Sequence, residues 1–395
     1  MKAVTWQGPK DMRVEEVPDP TIQEPNDAII RVTSTGLCGS DLHLYEPLSP
    51  FMTPGDVVGH EPMGIVEEVG PEAGDLKVGD RVVIPFQMSC GHCWMCDQQL
   101  YTQCETTQVR EYGSGAALFG YSKLYGSVPG GQAELLRVPQ AQFTSIKVPH
   151  GPVDDRFLFL SDVAPTAWQA VAYADVPDGG TLLVMGLGPI GLMSVRIAQH
   201  LGHRVIGVDR VPERLARAAA AGAETIDLSA VDDVADEVRS RTAGRGADSV
   251  VDAVGMEAHG SPVAELSQKA LGLLPRRLAA GLMQRVGVDR AAALTASLDA
   301  VRRGGTVSLS GVYGGMTQPL PLMDMFDKQL QLRMGQANVK RWMDDLLPLA
   351  LDDADPLGLE QFASHHLPLE EAPQAYADFQ AKADGTFKVV FQPGA

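Results

Sequence analysis

Cysteine is scarce: five in 395 residues, too few for a disulfide framework in a chain this long. No apolar run approaches the roughly 18 to 20 residues that a membrane-spanning helix needs. The N-terminal MKAVTWQGPKDMRVEE also has no apolar signal core, so the expectation is a cytoplasmic protein. Positive charge falls short as well. Against 50 Asp and Glu stand 32 Lys and Arg, a formal net charge of −18, which argues against nucleic acid or an anionic membrane as partner and otherwise keeps a surface soluble. Internal repeats and low-complexity tracts are missing. What remains is 45% hydrophobic and 21% charged, ordinary for a globular protein, and the length favours two domains with a sizeable core.

Four of the five cysteines fall within residues 90–104, in SCGHCWMCDQQLYTQCE. Two-residue gaps make a knuckle in which Cys90, Cys93 and Cys96 converge on one ion, and Cys104 closes the tetrahedron from the far side of a short loop. A complete set of four leaves no position for substrate, so the expected metal is a structural zinc. His92, between ligands, would be redundant and reads as a solvated side chain.

The stretch LVMGLGPIGLMSVRIAQHLGHRVIGVD, residues 183–209, organises the rest. An apolar run ends in Gly186, Gly188 and Gly191, with Pro189 and Ile190 between the last two; an amphipathic segment follows to Leu201, and a second apolar run closes on Asp209. That is strand, glycine turn, helix, strand and acid. The turn lets backbone approach a pyrophosphate, and the helix start offers it unpaired N–H groups. Asp209 stands where a carboxylate takes both ribose hydroxyls and repels a 2′-phosphate, which favours NAD over NADP. Arg210 adjoins the acid and softens that preference; Arg214 belongs to the same candidate site.

Residues 1 to about 35 alternate as strands punctuated by prolines 9, 18, 20 and 25, the start of a β-rich domain. In GLCGSDLHLYE, Cys38 is a thiolate candidate, Ser40 a hydroxyl and His43 an imidazole. A lone cysteine in such a turn is commonly a small buried residue; His60 and Glu61, between two β-like runs, change the odds, since Cys and His are zinc ligand types and Glu61 fits behind them. From 105 to 160 the chain is loop-rich, and GYSKLYGSVPGG suits either a substrate channel or a packed surface loop. Asp162 starts a helical segment, where Ser161 and Asp162 also make a plausible helix cap. From 181 to about 337 strands and helices alternate, the pattern of a parallel sheet covered on both faces. From Gly255 to Gly304 is a step of 49 residues, where a crossover needs only about 25; the excess marks an insertion at the sheet's carboxyl edge. A helix over KRWMDDLLPLALDDAD and a strand TFKVVFQP close the sequence. The adjacent His365 and His366 read as surface residues. Domains are expected at 1–165, 166–337 and 338–395, the last returning to the first.

With Cys38, Ser40, His43, His60, Glu61, the four-cysteine lobe and the glycine turn in this order, the chain resembles the zinc-dependent medium-chain alcohol dehydrogenases. SDVAPTAW, GYSKLYGSVPGGQAE, DAVGMEAHG and DGTFKVVF make it most like their glutathione-independent formaldehyde dehydrogenase and aldehyde dismutase branch. The resemblance implies an α/β protein, with a Rossmann doubly wound parallel sheet beside a GroES-like β-rich catalytic domain. It also implies two zincs per subunit, the catalytic one held by Cys38, His60 and Asp162 with Glu61 close behind. Ser40 would pass a proton toward His43, and NAD would be held tightly under the insertion. A homo-oligomer, tetramer before dimer, goes with it. The substrate would be a small alcohol or a hydrated aldehyde; the alternative is a polyol, secondary-alcohol or amino-alcohol dehydrogenase with exchanging NAD. Phe51, Trp94, Trp168 and Met343 are candidates for the channel lining.

Overall fold

The computed structural model describes residues 1–255, 292–313, 320–383 and 385–394. The insertion expected after Gly255 therefore lies mostly outside the described residues. Two compact units form, Met1–Pro165 with Ala337–Ala395, and Thr166–Gln336. Strands of the first are β1 (Lys2–Gly8), β2 (Asp11–Glu16), β3 (Ala28–Leu37), β4 (Asp56–Val57), β5 (Glu61–Val69), β6 (Arg81–Val83), β7 (Leu135–Val138) and β8 (Ile146–Lys147). The second unit supplies β9 (Thr181–Met185), β10 (Arg204–Asp209), β11 (Glu224–Asp227), β12 (Ala247–Asp252), β13 (Val301–Leu309) and β14 (Gln331–Met334), after which β15 (His365–Pro368) and β16 (Val389–Gln392) return to the first.

In the first unit a seven-stranded sheet runs β15-β16-β3-β5-β6-β8, with β7 also on β3, beside a three-stranded sheet β2-β1-β4. Long β3 is the spine, buried along most of its length, because apolar side chains meet it on both faces. Ile30 and Val32 pack with Val66, Val82 and Leu136. Leu37 joins a second core of Val4, Trp6, Leu44, Tyr376, Phe379 and Phe391, many of them wholly enclosed; each such side chain contributes about 1.5–3 kcal/mol by leaving water. Register decides what meets at the end of β3: Gly36 pairs with Glu61 on one side and with Val390 on the other. Loops in 105–160 contain only short 3-10 turns, at Arg110–Tyr112 and Lys123–Tyr125, before β7.

The second unit is an all-parallel six-stranded sheet, β11-β10-β9-β12-β13-β14. Central β9, TLLVM, is buried at every position, which is why it reads as an unbroken apolar run and not as an alternation. Strand order reverses between β9 and β12, and ligands of such sheets bind in the crevice outside the carboxyl ends at that reversal. The glycine turn follows β9 directly. Its helix, Pro189–His200, begins on proline after an N-cap Gly188 and buries Leu192, Met193, Val195, Ile197 and Ala198.

Two expectations are refined. The helix foreseen over 340–355 is a 3-10 turn, Val339–Trp342, followed by a helix Met343–Leu351. His366 is exposed yet not idle, its Nε2 lying 2.8 Å from Asp155 Oδ2, and the half-buried His365 meets Ser364 Oγ at 2.9 Å. Among the described residues no helix is long and apolar enough to cross a membrane.

Candidate functional site

Cys38 follows β3 as the N-cap of the helix Gly39–Tyr45, His60 precedes β5, Glu61 opens it, and Asp162 precedes the helix Val163–Ala174. The β3–β5 register brings the first three together, and the chain at 161 is tied in by Phe86 N–H donating to the Ser161 carbonyl at 3.3 Å. One ligand atom from each of Cys38, His60, Glu61 and Asp162 lies within 4.8 Å of the others. Cys38 Sγ is 3.6 Å from Asp162 Oδ2, and His60 Nε2 is 3.5 Å from the same oxygen. Burial, then Glu61 and Asp162, raise the Cys38 thiol. Burial works against charge on His60, yet Asp41 and Asp162 outweigh it and hold the ring well above its usual pKa. The cluster thus draws positive charge to its centre. Thiolate, imidazole and carboxylate are the donor set zinc selects, and the site suits it on those grounds.

Asp41, which the sequence reading passed over, is wholly buried. One oxygen accepts from Cys38 N–H at 2.9 Å and the other stands 3.0 Å from His60 Nδ1, at ion-pair distance though off the line of a hydrogen bond. It thereby turns Nε2 of His60 toward Asp162. Losing such a carboxylate behind a metal-binding histidine costs about 10–100-fold in metal affinity. Asp41→Asn is accordingly expected to release zinc to a competing chelator at 10–100-fold lower chelator strength; equal retention by variant and wild type would refute that orienting role.

Behind the cluster sits an ion pair that sequence alone did not expose. Glu61 Oε2 accepts from Lys388 Nζ at 2.5 Å, and the same ammonium donates to the Leu37 carbonyl at 3.0 Å. Both side chains are 0% exposed. Burial opposes the ammonium, but Glu61 and then Cys38 raise its pKa above the ordinary value; a neutral Glu61 would strand that charge with one carbonyl. The other carboxylate oxygen, Oε1, is buried with no hydrogen bond among the described residues.

Ser40 and His43 lie three apart on the helix Gly39–Tyr45, hence on one face. Ser40 Oγ is 3.2 Å from His60 Nε2. Burial lowers the pKa of His43 to about 4, with Asp41 opposing, so the ring is neutral at pH 7. Its Nδ1 is buried without a hydrogen bond among the described residues.

The second cluster is Cys90, Cys93, Cys96 and Cys104, whose sulfurs also lie within 4.8 Å of one another. Backbone N–H groups of His92 and Glu105 donate to Cys90 and Cys93 Sγ at 3.5 and 3.3 Å, and that of Cys90 to Cys104 Sγ at 3.4 Å. Burial would raise the Cys93 thiol, but N–H groups of Cys96 and Glu105 bring it down to about 6. These N–H donors reach three of the four sulfurs and favour the thiolate form that binds metal, while burial pushes the fourth thiol, Cys96, up. His92 is exposed, its Nδ1 3.0 Å from the Cys90 carbonyl oxygen.

In the other unit, Gly186 has φ +84° and a Cβ on Gly191 would meet the Gly186 carbonyl oxygen at 1.8 Å, so the turn tolerates no side chain at either place. At Gly188 the nearest atom to a built Cβ is Arg214 Nη1, 3.6 Å away; the space in front is open, as a phosphate at the start of the helix Pro189–His200 requires. Asp209 accepts from Leu187 N–H at 2.7 Å, and from Arg210 and Val211 N–H at 2.7 and 2.9 Å. Arg214 Nη1 is 3.7 Å from Asp209 Oδ2. A carboxylate has about four acceptor positions, so one is left for a ribose hydroxyl. The turn and acid fit a dinucleotide.

The rings edge-on to His60 are Phe86 and Tyr121, each with centroids 6.4 Å away. Of the residues expected to line a channel, Trp94 is 61% exposed on the cysteine lobe, while Phe51 and Met343 are buried. Lys388 had a signal in the sequence, a lone cation inside TFKVVF. Asp41 had one in its position three residues after Cys38.

Family comparisons agree with this geometry. The alcohol dehydrogenase GroES-like domain model matches residues 24–150, and the zinc-binding dehydrogenase model matches residues 189–270. A zinc-type alcohol dehydrogenase-like protein of Bacillus subtilis, AdhB, is 42% identical over the full length of both chains. The glutathione-independent formaldehyde dehydrogenase of Pseudomonas aeruginosa is 31% identical across 98% of this chain and 97% of its own. Among solved structures, alcohol dehydrogenase TADH from Thermus sp. ATN1 superposes with a TM-score of 0.82 at 36% identity, covering all of both chains. The chain belongs to the zinc-dependent medium-chain alcohol dehydrogenase superfamily, and it is an oxidoreductase of zinc-type alcohol dehydrogenase kind.

Proposed function

We propose that the chain transfers hydride between NAD and a small aldehyde, taken as its hydrate, or a primary alcohol, in the manner of a formaldehyde dehydrogenase or dismutase. The observation that carries this reading is the convergence of Cys38, His60 and Asp162 within 4.8 Å, with Glu61 behind them. In this assignment those three hold a catalytic zinc and the four cysteines a structural one. Bound zinc supplies Lewis acidity to a substrate oxygen, and the oxidised nicotinamide accepts hydride. The chain's own residues do the rest. Asp41 orients His60, and Ser40 passes the proton from the substrate oxygen through the nicotinamide ribose toward His43. Asp209 supports NAD over NADP, because a 2′-phosphate would face its carboxylate.

The likeness to the Pseudomonas formaldehyde dehydrogenase supports the aldehyde reading, while the 36% identity with the Thermus alcohol dehydrogenase favours a second one, a plain alcohol dehydrogenase with exchanging NAD. One experiment separates them. Purified protein is denatured, released nucleotide is identified, and formaldehyde and short alcohols are assayed with and without added NAD. The first reading expects NAD to be released and formaldehyde to be converted without addition; a nucleotide-free protein that oxidises only alcohols, and only with added NAD, would leave the second. A homo-oligomer belongs to the same proposal, supported by the exposed Leu322, Met323 and Phe326 and by the exposed Met334 on the edge strand β14. So does a cytoplasmic location, supported by five unpaired cysteines.

A further inference from the structure

Three turns meet at the carboxyl edge of the parallel sheet, packed too closely for side chains between them. Ala253 N–H donates to the Met185 carbonyl at 2.9 Å, which joins the turn after β12 to the glycine turn after β9. Ser310 and Gly311 N–H donate to the Asp252 carbonyl at 2.9 and 2.8 Å, which joins it to the turn after β13. A Cβ on Gly311 would meet Gly255 N at 2.2 Å, and one on Gly255, where φ is +62°, would meet Val312 N at 2.6 Å. The turns after β12 and β13 therefore run backbone against backbone.

The same two turns share a carboxylate. Asp252 is 0% exposed. Its Oδ1 accepts from Val254 N–H at 2.9 Å, and Gly255 N–H donates to the same carboxylate. Its Oδ2 accepts from the Tyr313 hydroxyl at 2.5 Å. The half-buried Tyr313 ring packs on the core of the sheet, so one hydrogen bond reaches from the turn after β13 to the root of the turn after β12. An enclosed carboxylate is unfavourable unless it is well hydrogen-bonded, and the donors that compensate this one, Val254, Gly255 and Tyr313, belong to the two turns it joins.

A doubly wound sheet takes a dinucleotide across the crevice at its reversal, one mononucleotide to each half of the sheet. Gly186, Gly188 and Asp209 lie in the half β9-β10-β11 and account for the adenosine and the pyrophosphate. The half β12-β13-β14 is left with the nicotinamide mononucleotide, and the turns clasped by Asp252 form its carboxyl edge. Backbone free of side chains at Gly255 and Gly311, with Val312 50% exposed next to them, suits the flat face of an aromatic ring.

We propose that Tyr313 and Asp252 are positioning residues for the nicotinamide end of the cofactor: their hydrogen bond holds the turns after β12 and β13 in the arrangement that seats the nicotinamide, while the glycine turn and Asp209 hold the ADP end without it. The inference rests on the reading of the glycine turn and Asp209 as a dinucleotide site. Both residues act through the backbone they fasten. Without the hydroxyl the turns adopt other arrangements as well, and affinity falls with the fraction of molecules that keep the competent one.

The test is Tyr313→Phe, which removes one oxygen and keeps the ring. Full-length, zinc-loaded protein is freed of resident nucleotide with charcoal. Calorimetry then measures its affinity for NADH and for ADP-ribose, which is the same dinucleotide without the nicotinamide ring. Loss of a hydrogen bond to a carboxylate is expected to weaken NADH binding by about 10-fold and to leave ADP-ribose within twofold of wild type. Binding of ADP-ribose is also the check on folding, because it needs the glycine turn intact. Equal losses for both ligands, as a merely structural role would give, or no loss for either, overturn the role of Tyr313 and leave the dinucleotide site standing. A wild type that binds neither ligand overturns the dinucleotide reading and this inference with it.

Discussion

With Lys388 replaced by methionine, the thermal midpoint of the protein is expected to fall by on the order of 10 °C, the effect of losing about 3–5 kcal/mol. The ammonium is 0% exposed and its partner Glu61 equally so. Methionine fills nearly the same volume, so the loss comes from the carboxylate, which is left charged and enclosed with its counterion gone. Lys388→Met combined with Glu61→Gln removes that orphaned charge and recovers part of the midpoint. Calorimetry on the single and double variants measures both; a single variant that melts with the wild type would contradict an ionised pair at this depth.

Fully loaded protein is expected to hold two zinc ions per chain by elemental analysis, and two substitutions should remove them separately. Cys104→Ser opens the ring of four sulfurs. Structural zinc commonly contributes on the order of 10 kcal/mol to the fold that binds it, so this variant should retain one zinc and fail chiefly by unfolding. His60→Ala should also retain one zinc, melt close to wild type, and lose activity by about 10³-fold or more, since a Lewis acid at the reacting oxygen is worth several kcal/mol and each 1.36 kcal/mol is a factor of ten. A single zinc in fully active wild type would sink the two-metal assignment.

The two halves of the molecule were not equally legible. The glycine turn could be read because its chemistry is local: Gly186, Gly191 and the strand TLLVM act within one strand-turn-helix unit, and the buried parallel strand announces itself as an apolar run. The cysteine lobe was legible for the same reason, its four sulfurs being within fifteen residues of chain. Cys38, His60 and Asp162 are scattered, and what joined them in the sequence was resemblance, not spacing. The roles of Asp41 and Lys388 stayed hidden because the groups they face, His60 and Glu61, are brought to them only by the fold. Nothing near Lys388 in sequence shows that β16 lies on β3 opposite Glu61, 327 residues away. Tyr121 stayed hidden because a loop of small residues and aromatics has no period from which to infer what it covers.

That register also has a consequence for how the protein comes to exist. During synthesis, β3 and the site-bearing β5 leave the ribosome long before β16, and pairings across more than 300 residues are slow to form and expose unpaired strand edges meanwhile. The sheet that carries Glu61 therefore stays open on one side until β16 has emerged, and the nascent chain must wait for that strand before the lysine can neutralise the carboxylate at its heart.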